Sequence, residues 1–174
     1  MLKVLWKSLR TGVVTEPPPA RDDAELERLG IEVKRHIDRK FAGSLAVREV
    51  DAGSCNGCEL EIHALNNPYY DVERFGVHFV ASPRHADVLL VTGVVSRHME
   101  TALRRTLRAT PRPRYVIAAG SCACDGGEFG ISYASSGAVE NVVGVDLRIP
   151  GCPPTPEQLL RGILLFLEQP GGSD

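Results

Sequence analysis

Five cysteines, Cys55, Cys58, Cys122, Cys124 and Cys152, stand in a chain of 174 residues. Thiols pack, form disulfides, exchange electrons or bind metal, and number and spacing narrow that choice. The count is odd and the amino terminus lacks the apolar stretch and cleavage site of a secretory leader, so a disulfide framework is not expected. In "SCNGCE", residues 54–59, two residues separate Cys55 from Cys58. That gap lets both sulfurs reach one inorganic centre, and Asn56-Gly57 suits a positive-φ turn whose amides can face sulfur. Alone, the pair fits a thioredoxin-like dithiol, half a zinc site or half an iron-sulfur site. Compact zinc modules bring a second close pair, whereas Cys122 in "GSCAC" and Cys152 in "PGCPP" arrive from distant parts of the chain. Cys152 is followed by Pro153, as in the C-P ending of bacterial ferredoxin motifs. Two plus one plus one gives the four thiolates that a cubane [4Fe-4S] cluster takes. Cys124 is the spare, and its distance from Cys122 along the backbone does not decide which of the two is the ligand.

The elements that must position these thiols show in the apolar pattern. β-branched-rich runs occur at 45–50, 75–80, 87–92, 115–119 and 145–149, and helical periodicity at 24–41, 97–109 and 156–168. Alternating strands and helices predict an α/β fold: an open, flavodoxin-like parallel sheet with helices on both faces. Each cysteine-bearing loop follows a strand, so the thiols gather at the carboxyl edge, where such sheets collect ligands. The first ten residues place Leu2, Leu5, Trp6 and Leu9 on one helical stripe with Lys3, Lys7 and Arg10 elsewhere, which suits a membrane surface, a partner or a short packing helix. Three prolines within 15–23 make a linker. The expected organisation is an N-terminal helical extension with its Pro-rich linker over 1–42, an iron-sulfur domain over 43–170 and a tail at 171–174. With 43% hydrophobic and 24% charged residues the chain can bury one core, and its net charge of -2 offers no basic excess for nucleic acid. No apolar run is long enough to span a bilayer, so the expectation is a cytoplasmic chain.

The segments "DAGSCNGCELEIHA", "ERFGVHFVASPRHADVLLVTG", "GSCACDGG" and "IPGCPPTPEQLLRGI" carry a resemblance, over roughly residues 45–168, to the small-subunit family shared by [NiFe] hydrogenases and the 20 kDa-type, terminal-cluster subunit of respiratory complex I. The resemblance implies one [4Fe-4S] cluster held by Cys55, Cys58, Cys122 and Cys152, with Cys124 a packing residue or an alternative ligand. The complex I branch carries adjacent cysteines at the first motif, whereas Cys55 and Cys58 are spaced as in hydrogenases. The longer uptake enzymes, with a twin-arginine signal and two further clusters, are not matched. What remains resembles the membrane-bound, energy-converting and formate hydrogenlyase type. That implies an oxidoreductase subunit passing electrons between a [NiFe] large subunit and ferredoxin-like iron-sulfur subunits, docked peripherally with membrane-arm subunits at the cytoplasmic face.

The resemblance also points to Glu59 as a proton-transfer residue, beside the plainer role of a glutamate at a helix start, with Glu61 a weaker candidate. It points to Arg84 and His85 as a pair near the cluster that could tune its potential, beside the plainer role of a surface loop. His36, His63, His78 and His98 have no ligand spacing. Gly126, Gly127 and Gly130 match no phosphate-loop pattern and are expected to be turn residues beside Cys122. Two other functions stay open: a complex I-like reductase subunit without nickel chemistry, and a zinc-stabilised interaction module.

Overall fold

The computed structural model describes residues 2–11 and 23–169; most of the Pro-rich linker and the tail at 171–174 lie outside the described residues. The strands are β1 (Leu45–Asp51), β2 (Val77–Phe79), β3 (Val88–Thr92), β4 (Val95–Ser96), β5 (Tyr115–Ala119), β6 (Ser135–Gly137) and β7 (Leu147–Ile149). The helices are α1 (Leu2–Thr11), α2 (Asp23–Lys40), α3 (Gly57–Leu65), α4 (Arg97–Ala109), α5 (Ser121–Asp125) and α6 (Pro156–Glu168). Five strands form an all-parallel sheet in the order β2-β1-β3-β5-β7, while β4 and β6 pair antiparallel beside it. This is the flavodoxin-like order, with the first strand moved inward to create a switch point.

Every residue of β3 is buried, as a central parallel strand covered on both faces requires. Alternation divides the core. Val47, Leu90 and Ile117 face Val33 and Ile37 of α2, Ile62 of α3 and Leu159, Leu160 and Ile163 of α6. Leu89, Val91 and Val116 face the other way, toward Leu103 of α4, Ala123 of α5 and Val139. Thus α2, although it precedes the sheet, belongs to one of its two covering layers. Its Gly30 answers to packing: a Cβ there would lie 2.2 Å from the Phe75 ring.

Local chemistry sets the helix ends that matter for the site. Thr155 begins α6 with a capping box: its Oγ1 accepts from Gln158 N (3.3 Å) and its own N donates to Gln158 Oε1 (2.9 Å), with Pro156 in the first turn. Ser96 caps α4 by accepting from Met99 N. Sheet register then aligns Asp51 with Thr92, Thr92 with Ala119, and Ala119 with Ile149. The four strands end in one row, and the three cysteine loops leave from it.

Candidate functional site

The first loop is wound by its own side chains. Asp51 Oδ1 accepts from Gly53 N (2.7 Å) and Ser54 N (2.8 Å), and Ser54 Oγ accepts from Asn56 N (3.0 Å). Asn56 takes the left-handed conformation, φ 71°, tolerable for Asn, and turns the chain directly into α3. Cys55 is therefore exposed on the loop, while Cys58, in the first turn of α3, is buried.

The second and third loops are laced together. Gly120 N donates to Ile149 O (2.8 Å), Ser121 N to Gly151 O (2.7 Å), and Gly151 N to Ser121 Oγ (3.3 Å). This ties the loop of Cys122, partly buried in α5, to the loop of Cys152, exposed after β7. Gly120 is where all three loops meet: a Cβ built there would lie 2.5 Å from Cys58 Sγ and 3.6 Å from Gly151 O, and its φ of 93° already disfavours any side chain. Gly127, at φ 50°, gives Cys122 the same clearance, with a Cβ position 2.9 Å from Cys122 Sγ.

Electrostatics joins four of the five thiols. Desolvation pushes Cys58 up to about 12, and after it come the repulsive charges of Glu59, Cys55, Cys122 and Cys152. Cys122 is raised first by desolvation, then by Cys152 and Cys55. Cys124 is raised to about 11 by desolvation and Asp125, with no other thiol acting on it. Its Sγ points toward Ala118 O (3.6 Å), and the residue packs against the core cluster on the α4 face of the sheet. The two neighbours that spacing left level thus stand in different surroundings.

Four thiols whose ionised forms repel one another, lined by glycines that clear the sulfurs, fit an inorganic cation centre, which would relieve that repulsion. Among the described residues no three Cys, His, Asp or Glu side chains converge on a single-ion position. Four thiolates are the donor set that a four-iron cubane takes at its corners.

Glu59, directly after Cys58 in α3, is only 6% exposed. Its Oε1 accepts from the hydroxyl of the fully buried Thr92, and its Oε2 is buried with no hydrogen-bond partner among the described residues. Glu61 is half-buried on α3. Arg84 and His85 occupy a 3-10 turn, Pro83–His85, between β2 and β3; Ser82 Oγ accepts from Arg84 N, and both side chains are exposed. Neither is among the charges acting on Cys58 or Cys122. Gly126, Gly127 and Gly130 all take positive φ in the turn after α5.

Two features escaped the sequence analysis. One is Thr92, the partner of Glu59, hidden because it ends a strand 33 residues further along. The other is an apolar rim: Leu60 (62% exposed), Phe129 (68%), Ile131 (72%) and Tyr133 (99%). Leu60 follows Cys58 closely on α3, and Phe129, Ile131 and Tyr133 alternate in the segment after Cys122. The alternation in "EFGISY" was its only sequence signal.

Comparison with known proteins agrees with this architecture. Residues 55–166 match the family described as the NADH ubiquinone oxidoreductase 20 kDa subunit. The chain is 44% identical over 135 residues to formate hydrogenlyase subunit 7 of Escherichia coli, a match covering 78% of this chain and 53% of that subunit, so it spans about half of that relative's length. It is 47% identical over 131 residues to the probable membrane-bound hydrogenase subunit mbhJ of Pyrococcus furiosus, covering 75% of this chain and 78% of that one. Among solved structures, a chain of the membrane-bound sulfane sulfur reductase, an archaeal respiratory membrane complex, superposes with a TM-score of 0.65 at 34% identity, covering 79% of this chain and 75% of that chain. The chain belongs to the family of complex I 20 kDa and [NiFe] hydrogenase small subunits, whose members are subunits of membrane-associated oxidoreductase complexes.

Proposed function

We propose that this chain is the electron-transfer small subunit of a membrane-bound [NiFe] hydrogenase, of the energy-converting or formate hydrogenlyase kind, and that it carries one [4Fe-4S] cluster. The observation that carries the reading is the gathering of Cys55, Cys58, Cys122 and Cys152 at one sheet edge, with CxxC spacing in the first loop. When bound, such a cluster accepts and passes on single electrons.

The protein's own part is positioning. The Asp51–Ser54–Asn56 turn fixes Cys55 and Cys58, and the laced loops after β5 and β7 fix Cys122 and Cys152. Gly120 and Gly127 keep side chains away from the sulfurs. Glu59, buried beside Cys58 and held by Thr92, is the proton-transfer group, its unpartnered Oε2 being the atom open to exchange. Arg84 and His85 take the role of tuning residues toward a neighbouring subunit. The apolar rim of Leu60, Phe129, Ile131 and Tyr133 docks the [NiFe] large subunit, with ferredoxin-like and membrane-arm subunits completing a peripheral assembly at the cytoplasmic face.

A second reading, a complex I-like reductase subunit without nickel chemistry, draws on the family's description and on the likeness to a sulfane sulfur reductase. Metal analysis of the complex isolated without oxygen through a tag on this chain separates the two. Co-purifying nickel with hydrogen turnover supports the hydrogenase reading. Iron and sulfide without nickel supports the second, and zinc without iron leaves an interaction module.

A further inference from the structure

Helix α1 lies outside the matched family segment and outside both core clusters. Its large apolar side chains are turned to solvent: Val4 is 72% exposed, Leu5 61%, Trp6 68% and Leu9 80%. Leu5, Trp6 and Leu9 fall on one stripe, and Lys3, Lys7 and Arg10 stack on the adjoining stripe, on the Trp6 side. Lys3, Trp6, Lys7 and Arg10 line one hollow, and the Arg10 guanidinium sits 5.8 Å from the Trp6 ring centroid. The helix holds no acidic residue, although the chain as a whole carries a net charge of -2.

That combination decides between occupants. An apolar stripe alone would suit any greasy groove. Three cations along one border of the stripe, with an indole at the junction, match the layered chemistry of a bilayer surface: acyl chains below, anionic headgroups above. At 10 residues the helix is too short to cross, and among the described residues no helix is long and apolar enough to do so. Lysine and arginine stems can lie along the apolar boundary while their charged ends reach phosphate. We infer that α1 lies flat on an anionic phospholipid surface, with Leu5, Trp6 and Leu9 dipping into the headgroup boundary and Lys3, Lys7 and Arg10 pairing with lipid phosphates. This does not rest on the redox role, since lipid contact is read without turnover.

Trp6 is the sole tryptophan of the chain, so its emission reports on α1 alone. The full-length chain is mixed with vesicles of phosphatidylcholine, and separately with vesicles that also contain phosphatidylglycerol, and both Trp6 emission and co-sedimentation are followed. The expected result is a blue shift and sedimentation with the anionic vesicles, weakened by salt. Each of Lys3→Gln, Lys7→Gln and Arg10→Gln should lower apparent affinity about fivefold. Leu9→Ser should weaken binding to both compositions with unchanged circular dichroism, because Leu9 touches no core. Unshifted Trp6 emission with anionic vesicles overturns the inference. So does a shift that appears only when the partner subunits are added without lipid, which would assign the face to protein.

Discussion

Cys122 and Cys124 differ in sequence by two positions and in surroundings almost completely. Cys122 feels Cys55 and Cys152, and Gly127 clears a path to its sulfur; Cys124 feels neither thiol and turns into the layer beneath α4. A five-residue helix imposes this, because positions two apart on a helix point to different sides. Glu59 poses the other residue-scale question. A buried carboxyl with one oxygen bonded to Thr92 and the other without a partner among the described residues is costly, which makes Glu59 a candidate for a functional role. Glu59→Gln preserves shape and can still accept from Thr92 but cannot carry the proton. Hydrogen turnover of the isolated complex should fall by about 10²-fold or more while iron per chain is unchanged. Unaltered turnover would leave Glu59 a structural residue.

At the scale of elements, α4 and α6 run over 97–109 and 156–168, the ranges that periodicity predicts, because each has a wide apolar stripe and a visible cap in Ser96 or Thr155. β2 is shorter than the expected 75–80: Phe75 ends a 3-10 turn, and Gly76, at φ 87°, breaks the chain before Val77. β7 is shorter than 145–149: Asp146 N donates to Val116 O (2.8 Å), but Val116 N turns to the Asp146 carboxylate (2.7 Å) in place of a backbone carbonyl. The β4–β6 pair was not legible at all, since its serines and glycine give no alternation and its partners lie 40 residues apart. That pair is anchored to α4 by Glu100, which accepts from Ser136 Oγ (2.8 Å) and pairs with Arg104 (3.2 Å). These partners, Ser136 first, hold the Glu100 carboxyl below its ordinary 4.5. A depressed carboxylate contributes stability that is present above the ordinary value and lost as pH falls through the lowered one. Glu100→Gln should therefore be less stable than the parent near neutrality, with the gap in melting temperature closing as pH drops below 4.5 and shrinking in high salt. A gap independent of pH would remove the ionic part of this anchor.

Over the whole molecule, the chemistry-bearing residues are sorted by edge and by end. The parallel sheet brings its strand ends into one row, and the three cysteine loops leave from that row, with Glu59 directly after the first of them. The opposite end of the chain carries α1, with its own apolar and cationic face. The fold class could be read from the sequence, and the sharing of one edge by the cysteine loops follows from it, because post-strand loops of a parallel sheet lie at the same edge; the exposure of Phe129, Ile131 and Tyr133 could not, because a loop carries no burial pattern of its own to read. Replacing Phe129 and Tyr133 together by Glu should cost the partner interface its apolar contact. Co-purification of the large subunit should fall about tenfold or more while the chain keeps its iron. Intact co-purification would move the interface elsewhere.

The central claim, that Cys55, Cys58, Cys122 and Cys152 and not Cys124 hold one four-iron cluster, is tested most directly by iron and acid-labile sulfide per chain, with low-temperature EPR, on oxygen-free Cys122→Ala and Cys124→Ala proteins. The account predicts a parental cluster in Cys124→Ala and its loss in Cys122→Ala. A full cluster in Cys122→Ala with loss in Cys124→Ala, or zinc in place of iron in the parent, would contradict it.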